Sequence, residues 1–191
     1  MNQGFGDIAQ TLLNNGYTPI PIRYGTKKPI KAKWETTDYS NSPKELKSLI
    51  KQFPDASTGI VLGQVCVIDN DVLDADAARV CTEIVISKLG DAPCRVGNPP
   101  KSALFFRVQG PTFSKLTTEL HKINGQKAQV EILCSGQQAV VFGKHPETKK
   151  PYYWTDKSIL DVPINELPTI SKVEASELIR DLESELTAKA T

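Results

Sequence analysis

Apolar and polar positions follow two different periods along the chain, and the change between them predicts interleaved helices and strands. Apolar residues at helical spacing predict helices over 6–15, 42–53, 74–89, 114–123 and 172–188. Short apolar runs bounded by turn residues predict strands at 17–22, 59–71, 102–108, 128–133, 138–142 and 152–154. The segment 95–101 predicts a loop, and residues 135–137 predict a hairpin-like turn. This order of elements predicts an α/β or α+β core with a mixed sheet.

The stretch from Gly59 to Asp71 is an apolar run that ends in two acids. Asp69 and Asp71 are separated by one residue, so on a strand both side chains lie on the same face. Burying two carboxylates side by side costs free energy unless a cation neutralises them. The pattern therefore indicates either a metal site at the end of a strand, or an Asp-rich turn or helix N-cap.

A third acid, Glu131, interrupts another apolar run. On a strand it lies on one face, with Val130 and Ile132 on the other. If this strand is the neighbour of the Asp69 strand, three carboxylates meet, and they cannot all remain ionised without a cation. Hard oxygen ligands select Mg²⁺ or Mn²⁺. The alternative is a strand residue that faces solvent.

Composition and net charge do not by themselves decide which function the chain has. The chain has 191 residues, 39% hydrophobic and 24% charged, which suits one domain or one domain with a small appendage. A net charge of +1 gives no overall field that attracts nucleic acid. Lys27 and Lys28 precede Trp34, and this combination suits phosphate contact and base stacking as well as an ordinary loop. A second basic cluster contains Lys144, Lys149 and Lys150.

The cysteines and the apolar runs indicate a cytoplasmic protein. The four cysteines show no Cys-x-x-Cys spacing, so we expect reduced thiols and no zinc site. No apolar run reaches the length of a membrane span, and no signal-peptide pattern is present at the start. We therefore expect no membrane partner.

Several segments, taken in order, resemble the primase-polymerase (Prim-Pol) domain of the archaeo-eukaryotic primase superfamily, which occurs in replication proteins of phages, prophages and plasmids. The resemblance covers about residues 8–170. The matching segments are 16–22 with Lys28, Pro29 and Trp34, then 59–63, 67–71, 95–102, 130–133, 138–146 and 151–154.

The resemblance implies a two-part fold, in which an N-terminal α/β module packs on an RRM-like mixed sheet. It implies that residues 1–170 form the catalytic domain and that 171–191 form a C-terminal helix, a linker to a helicase part. It also implies that Asp69, Asp71 and Glu131 ligate two Mg²⁺ or Mn²⁺ ions.

The family's second motif, Ser-x-His, aligns with Ser102-Ala103-Leu104, so a leucine stands where the family has a phosphate-binding histidine. We expect Arg95 and Lys101 to take over that contact, together with Ser102, because Arg and Lys bind phosphate without a change of protonation. The alternative is the loop that carries Lys144 and His145. Lys27, Lys28 and Trp34 are candidates for contact with template or nucleotide.

The resemblance implies a template-dependent nucleotidyltransferase that makes and extends primers on single-stranded DNA with NTPs or dNTPs by a two-metal mechanism. Its expected partners are single-stranded DNA, the nucleotide and a replicative helicase, in a bacterial or archaeal host. Two alternatives stay open. One is a module of the same fold that binds DNA or nucleotide without catalysis, and the other is a metal-dependent nuclease.

Overall fold

Two β-sheets carry the strands, in a computed structural model that describes residues 3–191. The helices are α1 (Phe5–Asn14), α2 (Pro43–Gln52), α3 (Ala75–Leu89) and α4 (Lys172–Lys189). The strands are β1 (Pro19–Ile22), β2 (Ser57–Val61), β3 (Val65–Val72), β4 (Cys94–Val96), β5 (Ser102–Val108), β6 (Leu116–Thr117), β7 (His121–Ile123), β8 (Gln126–Leu133), β9 (Gln138–Phe142), β10 (Tyr153–Trp154) and β11 (Thr169–Ile170). The fold is α+β, as predicted.

The two sheets differ in size and in the direction of their strand pairs. The small sheet has the antiparallel order β1-β2-β9. The large sheet has the order β10-β4-β5-β3-β8-β6, with β7 beside β8 and β11 beside β5. Only the β11–β5 pair is parallel among these described strands, which makes the large sheet mixed. Strand β3 therefore lies in the middle, between β5 and β8.

The alternating side chains of β3 separate two cores. Cys66, Ile68 and Val72 pack with α3 and α4 on one face of the large sheet. Val65 and Val67 pack on the other face with α1 and the small sheet. Because β3 is buried on both faces, its N-terminal half is apolar throughout. The second face becomes polar at the end of the strand, and this change places the candidate site.

Helix α4 is part of the larger core. Its Ser171 N-cap accepts a hydrogen bond from the backbone N–H of Glu174 at 3.2 Å. Its apolar face is fully buried against α3 and β8, at Ala175, Leu178, Leu182 and Leu186. The boundary at residue 170 stays a prediction, but the helix that follows it contributes to the packing of the sheet.

Three sequence predictions about secondary structure are wrong. The stretch 59–71 forms the end of β2 and most of β3, which belong to different sheets and turn at Gly63 (φ +139°). Residues 114–123 form β6 and β7 instead of a helix, because they pair along β8. Residues 135–137 do not close a hairpin, since β9 pairs with β2 in the small sheet.

The turn-rich loop predicted at 95–101 begins with a strand. Arg95 lies on β4, where its Cα partners are Ala103 on β5 and Trp154 on β10. The Gly and Pro residues of this segment predicted a loop throughout, so the short strand at its start was missed. Elsewhere the predicted helices and strands are confirmed to within a few residues. No helix in residues 3–191 combines the length and the apolar composition that a bilayer span requires.

The packing of α4 gives a test of its contribution. We expect Leu182→Ala to lower the free energy of unfolding by about 2–5 kcal/mol, because the side chain is fully buried and leaves a cavity. Val173→Ala, on the exposed side of the same helix, should change it by less than about 0.5 kcal/mol. Urea unfolding monitored by circular dichroism measures both. Equal effects would show that α4 does not stabilise the sheet.

Candidate active site

Three acids meet on the open face at the end of β3. Asp69 is the direct cross-strand partner of Glu131 on β8, which confirms the predicted neighbourhood of the two strands. Asp71 lies on the same face of β3 as Asp69 and is opposite Gln129. Directly opposed residues in an antiparallel pair have Cβ atoms about 4.5–5.5 Å apart. The register therefore forces two carboxylates into close proximity.

The acids open into a small polar cavity of about 180 Å³. Its lining contains the four acids Asp69, Asp71, Glu131 and Glu147. It also contains the cations Lys27, Arg95 and Lys101. Such a cavity suits a ligand that carries both positive and negative charge, because lining groups of both signs then have a partner.

Asp69 is the acid with the least compensation. Among residues 3–191 it receives no hydrogen bond and no ion pair, and it is half-buried. Burial raises the pKa of its carboxyl, and the charges of Asp71 and Glu131 raise it further. Arg95 and Lys27 act in the opposite direction without reversing the shift. The fold therefore holds a carboxylate where its charge is unfavourable.

Lysines compensate the other two acids. The Nζ of Lys101 lies 2.6 Å from one oxygen of Asp71, and Lys127 donates to the other oxygen. Burial disfavours the charge of Asp71, but these two hydrogen bonds outweigh it and hold its pKa below the usual range. Lys115 Nζ lies 2.8 Å from Oε1 of Glu131.

The chemistry of the donor set fits Mg²⁺ or Mn²⁺, but the side chains are not arranged around an ion. No group of three His, Cys, Asp or Glu side chains within the described residues is placed to hold a metal. The backbone brings the three carboxylates together, whereas Asp71 and Glu131 direct oxygens at ammonium groups. A divalent ion would take over positions that lysines hold here.

Arg95 lines the cavity and connects the two sheets. Its Nη1 donates to the carbonyl of Val140 on β9, and its guanidinium lies 4.6 Å from the ring centroid of Tyr152. Its Nε and the hydroxyl of Tyr152 are buried and have no hydrogen-bond partner in the described chain. Unpaired buried donors beside a cavity are groups that a polar ligand would satisfy.

His145 also lines the cavity and has a fixed orientation. It is 7% exposed, and its Nδ1 accepts hydrogen bonds from the backbone N–H groups of Glu147 at 3.3 Å and Thr148 at 3.2 Å. Desolvation lowers the pKa of the imidazole, and the charge of Lys27 adds to this effect. The neutral ring then carries its proton on Nε2. The sequence offered this residue as the alternative phosphate contact, and it borders the cavity.

Gly97 allows His145 and Tyr152 to approach β4. A Cβ at position 97 would lie 2.5 Å from Cε1 of Tyr152 and 2.6 Å from Cδ2 of His145. A glycine is therefore needed here for the space that it leaves rather than for its backbone angles.

The structure corrects the role given to Leu104. Leu104 is fully buried in the helix-side core, opposite Ile68, so a histidine at this position would face away from the cavity. The β5 residue that shares a face with Asp69 is Ala103, which is directly opposite it. The leucine therefore removes no phosphate contact. Ser102 borders the cavity, and its Oγ is buried without a partner.

The remaining candidates divide into those at the cavity and those away from it. Lys27 lines the cavity, and its carbonyl accepts a hydrogen bond from Gln138 Nε2 at 2.9 Å. Lys28 is exposed and does not line it. Trp34 packs against the apolar cluster of the small sheet. Lys144 also lies outside the lining, with its Nζ 6.0 Å from the ring centroid of Tyr24.

Some residues of the site were not found from the sequence. Lys127 lies four residues before Glu131 on β8, so the alternation of that strand places both on one face. Tyr152 belongs to the predicted aromatic strand 152–154, but nothing in its spacing indicated a place in the site; in the structure it directly precedes β10. Lys115, Asn98 and Glu147 lie in connecting segments, where spacing gives no sign of which side chains meet.

Comparison with known families gives one match. The sequence model of the Prim-Pol family, described as bifunctional DNA primase/polymerase, N-terminal, matches residues 9–170. A search among curated proteins returned no match.

The raised pKa of Asp69 predicts the effect of removing its charge. We expect Asp69→Asn to raise the free energy of unfolding of metal-free protein at pH 7 by about 0.5–2 kcal/mol. The folded protein binds the Asp69 proton more tightly than the unfolded chain, so wild-type stability falls as pH rises from the ordinary value to the raised one. The gain should therefore shrink towards pH 4, where both proteins are neutral at this position.

Denaturant unfolding in EDTA at the two pH values measures this difference. Asp156→Asn, at an exposed position away from the cavity, is the matched control and should change little. If Asp69→Asn destabilises the protein at neutral pH, the account of an uncompensated charge is wrong.

Proposed function

Because the chain belongs to the Prim-Pol family of bifunctional DNA primase/polymerase N-terminal domains, we propose that it is a template-dependent nucleotidyltransferase that makes and extends primers on single-stranded DNA. The observation that supports this most directly is the register of β3 and β8. It places Asp69 opposite Glu131 and Asp71 on the same face, in a cavity that is also lined by cations. Acids and cations in one cavity match a metal-bound triphosphate.

The carboxylates are proposed as metal ligands. Asp69, Asp71 and Glu131 would hold two Mg²⁺ or Mn²⁺ ions, which activate the attacking 3′-hydroxyl and neutralise the leaving pyrophosphate. The protein's own contribution is to keep these oxygens on one rigid strand pair at the centre of a sheet. Asp69, whose charge is unfavourable without a cation, has the most to gain from such a ligand.

The cations that line the cavity are proposed as the phosphate site. Arg95 and Lys101 present permanent charges, and Arg95 is held by Val140 and Tyr152 so that its guanidinium loses little further freedom on binding. His145 is neutral and offers a single N–H donor. Lys27 supplies a further cation from the loop after β1.

The DNA strand is proposed to cross two basic loops beside the cavity. Lys27 and His145 line the cavity and belong to the loops that also carry Lys28 and Lys150. Tyr24 and Tyr153 are about half exposed, at 51% and 50%, and are suitable for stacking on bases. Trp34, which packs on the small sheet, is a weaker candidate for this contact than the sequence suggested.

A module that binds DNA without catalysis is the second candidate. It is favoured by the ion pairs of Asp71 and Glu131, because these acids are compensated without any metal. A nuclease would use the same acids and would shorten a labelled strand rather than lengthen it. A role in phage- or plasmid-type replication beside a helicase is supported only by the family.

Removal of two acids tests the catalytic proposal. We expect Asp69→Ala/Asp71→Ala to lower primer extension on single-stranded DNA with Mn²⁺ by about 10²–10³-fold or more, because charge stabilisation at the reacting phosphate is lost. Asp156→Ala is the surface control. A double variant as active as the wild type would exclude these acids, and an inactive wild type that still binds DNA would favour the module.

Charge removal from the basic loops tests the DNA path. We expect Lys28→Ala/Lys150→Ala to weaken binding to single-stranded DNA and to reduce the slope of log K against log salt by about 1–2, because each lysine releases roughly one counterion. Lys44→Ala/Lys47→Ala removes the same charge from α2 and should leave the slope unchanged. Fluorescence anisotropy over a range of salt concentrations measures both. Equal slopes in the two variants would place the DNA elsewhere.

A further inference from the structure

Three lysines from separate segments converge on the acids of the cavity. Lys101 precedes β5, Lys115 precedes β6 and Lys127 lies on β8. Lys101 and Lys127 contact different oxygens of Asp71, and Lys115 contacts Glu131. Both oxygens of Asp71 are therefore occupied by ammonium groups before any ligand arrives.

These ion pairs are open to exchange. The side chains of Lys115 and Lys127 are 42% and 43% exposed, so they can turn into solvent without leaving a buried cavity. Lys101 is 23% exposed and lines the cavity itself, with its Nζ 2.6 Å from Asp71. The more exposed pairs of Lys115 and Lys127 contribute little to stability, so they are suited to being broken and reformed.

The charges around the cavity show no negative excess without a metal. The three ammonium groups equal Asp69, Asp71 and Glu131 in number, although none is paired with Asp69, and Glu147 only partly offsets the two further cations, Lys27 and Arg95. A free divalent cation therefore enters surroundings that already carry no negative excess. A divalent ion bound to a triphosphate carries a net negative charge and meets no such barrier.

We propose that Lys101, Lys115 and Lys127 are resident counter-ions that make the acid cluster accept a divalent metal together with a nucleoside triphosphate rather than alone. In that complex Asp69, Asp71 and Glu131 would ligate the metal, and Lys101 would contact the phosphates instead of Asp71. Lys115 and Lys127 would turn towards solvent. This inference rests on the proposed function and adds an order of binding to it.

The proposal makes metal and nucleotide binding cooperative. Each ligand should raise the affinity of the protein for the other by the same factor, since the coupling of two binding equilibria is reciprocal. Removing one lysine should raise the affinity for metal alone by about three- to tenfold, the effect of one charge a few ångströms from a divalent ion in a solvated site. The affinity for the metal–nucleotide complex should change less, because the anionic phosphates already offset that charge.

Isothermal titration of the whole chain tests this. Mn²⁺ alone, and Mn²⁺ complexed with a triphosphate analogue that cannot be cleaved at the α-phosphate, are titrated into the wild type and into Lys115→Gln/Lys127→Gln. Lys88→Gln is the matched control, since Lys88 is also ion-paired, to Asp181, on the far side of the sheet. We expect the wild type to bind the complex at least about tenfold more tightly than Mn²⁺ alone. In the double variant the ratio of the two affinities should fall towards one, because its affinity for Mn²⁺ alone rises. The control should keep the ratio of the wild type.

Lys101→Gln gives a second readout that a purely structural role would not produce. It should bind Mn²⁺ alone more tightly than the wild type and the metal–nucleotide complex more weakly. Thermal unfolding in EDTA shows that each variant is folded. The same measurement with Mn²⁺ in place of EDTA should give a larger rise in melting temperature for the double variant than for Lys88→Gln.

The outcomes separate the two proposals. If the complex binds but the double variant and Lys88→Gln take up Mn²⁺ alone equally well, the counter-ion proposal is overturned and the proposed function stands. Equal affinity of the wild type for Mn²⁺ with and without nucleotide also overturns it. If no protein binds Mn²⁺ in either form, the assignment of the acids as metal ligands fails as well.

Discussion

The direct opposition of Asp69 and Glu131 across β3 and β8 is the constraint on which the rest of the site depends. Like charges placed opposite each other in a sheet destabilise it, and here they occupy two adjacent interior strands. The structure keeps this register because Ile68 and Val130 on the same strands are buried beneath α3 and α4. A shift by one residue would turn those apolar side chains towards the cavity. The helix-side core therefore fixes the geometry of the acids.

The cations of the site come from both sheets. The small sheet supplies the Val140 carbonyl that holds Arg95, and the loops at its edge supply Lys27 and His145. Arg95 itself lies on β4 of the large sheet, the sheet that also carries Asp69, Asp71 and Glu131. The two sheets share the apolar layer around Val67 and Phe105, so this layer sets the position of the cations relative to the acids.

The sequence was sufficient for the acids but not for everything that surrounds them. Asp69, Asp71 and Glu131 could be found because each interrupts or ends an apolar strand, which is a local signal. The sequence could not show which face of β5 carries Leu104, because β5 is buried on both faces and its apolar run lacks alternation. Lys115 lies in a segment whose narrow apolar face resembled a helix until its pairing with β8 was known. Tertiary pairing, rather than residue type, decided these positions.

The burial of α4 has a consequence for the order in which the chain can fold. Strands β3, β5 and β8 are all synthesised before residue 172, so the face that receives Leu178, Leu182 and Leu186 is complete before its cover exists. Until α4 emerges from the ribosome, Ile68 and Ile132 on that face lack part of their packing. A nascent chain without α4 therefore leaves this apolar face partly uncovered, and the docking of α4 completes the core.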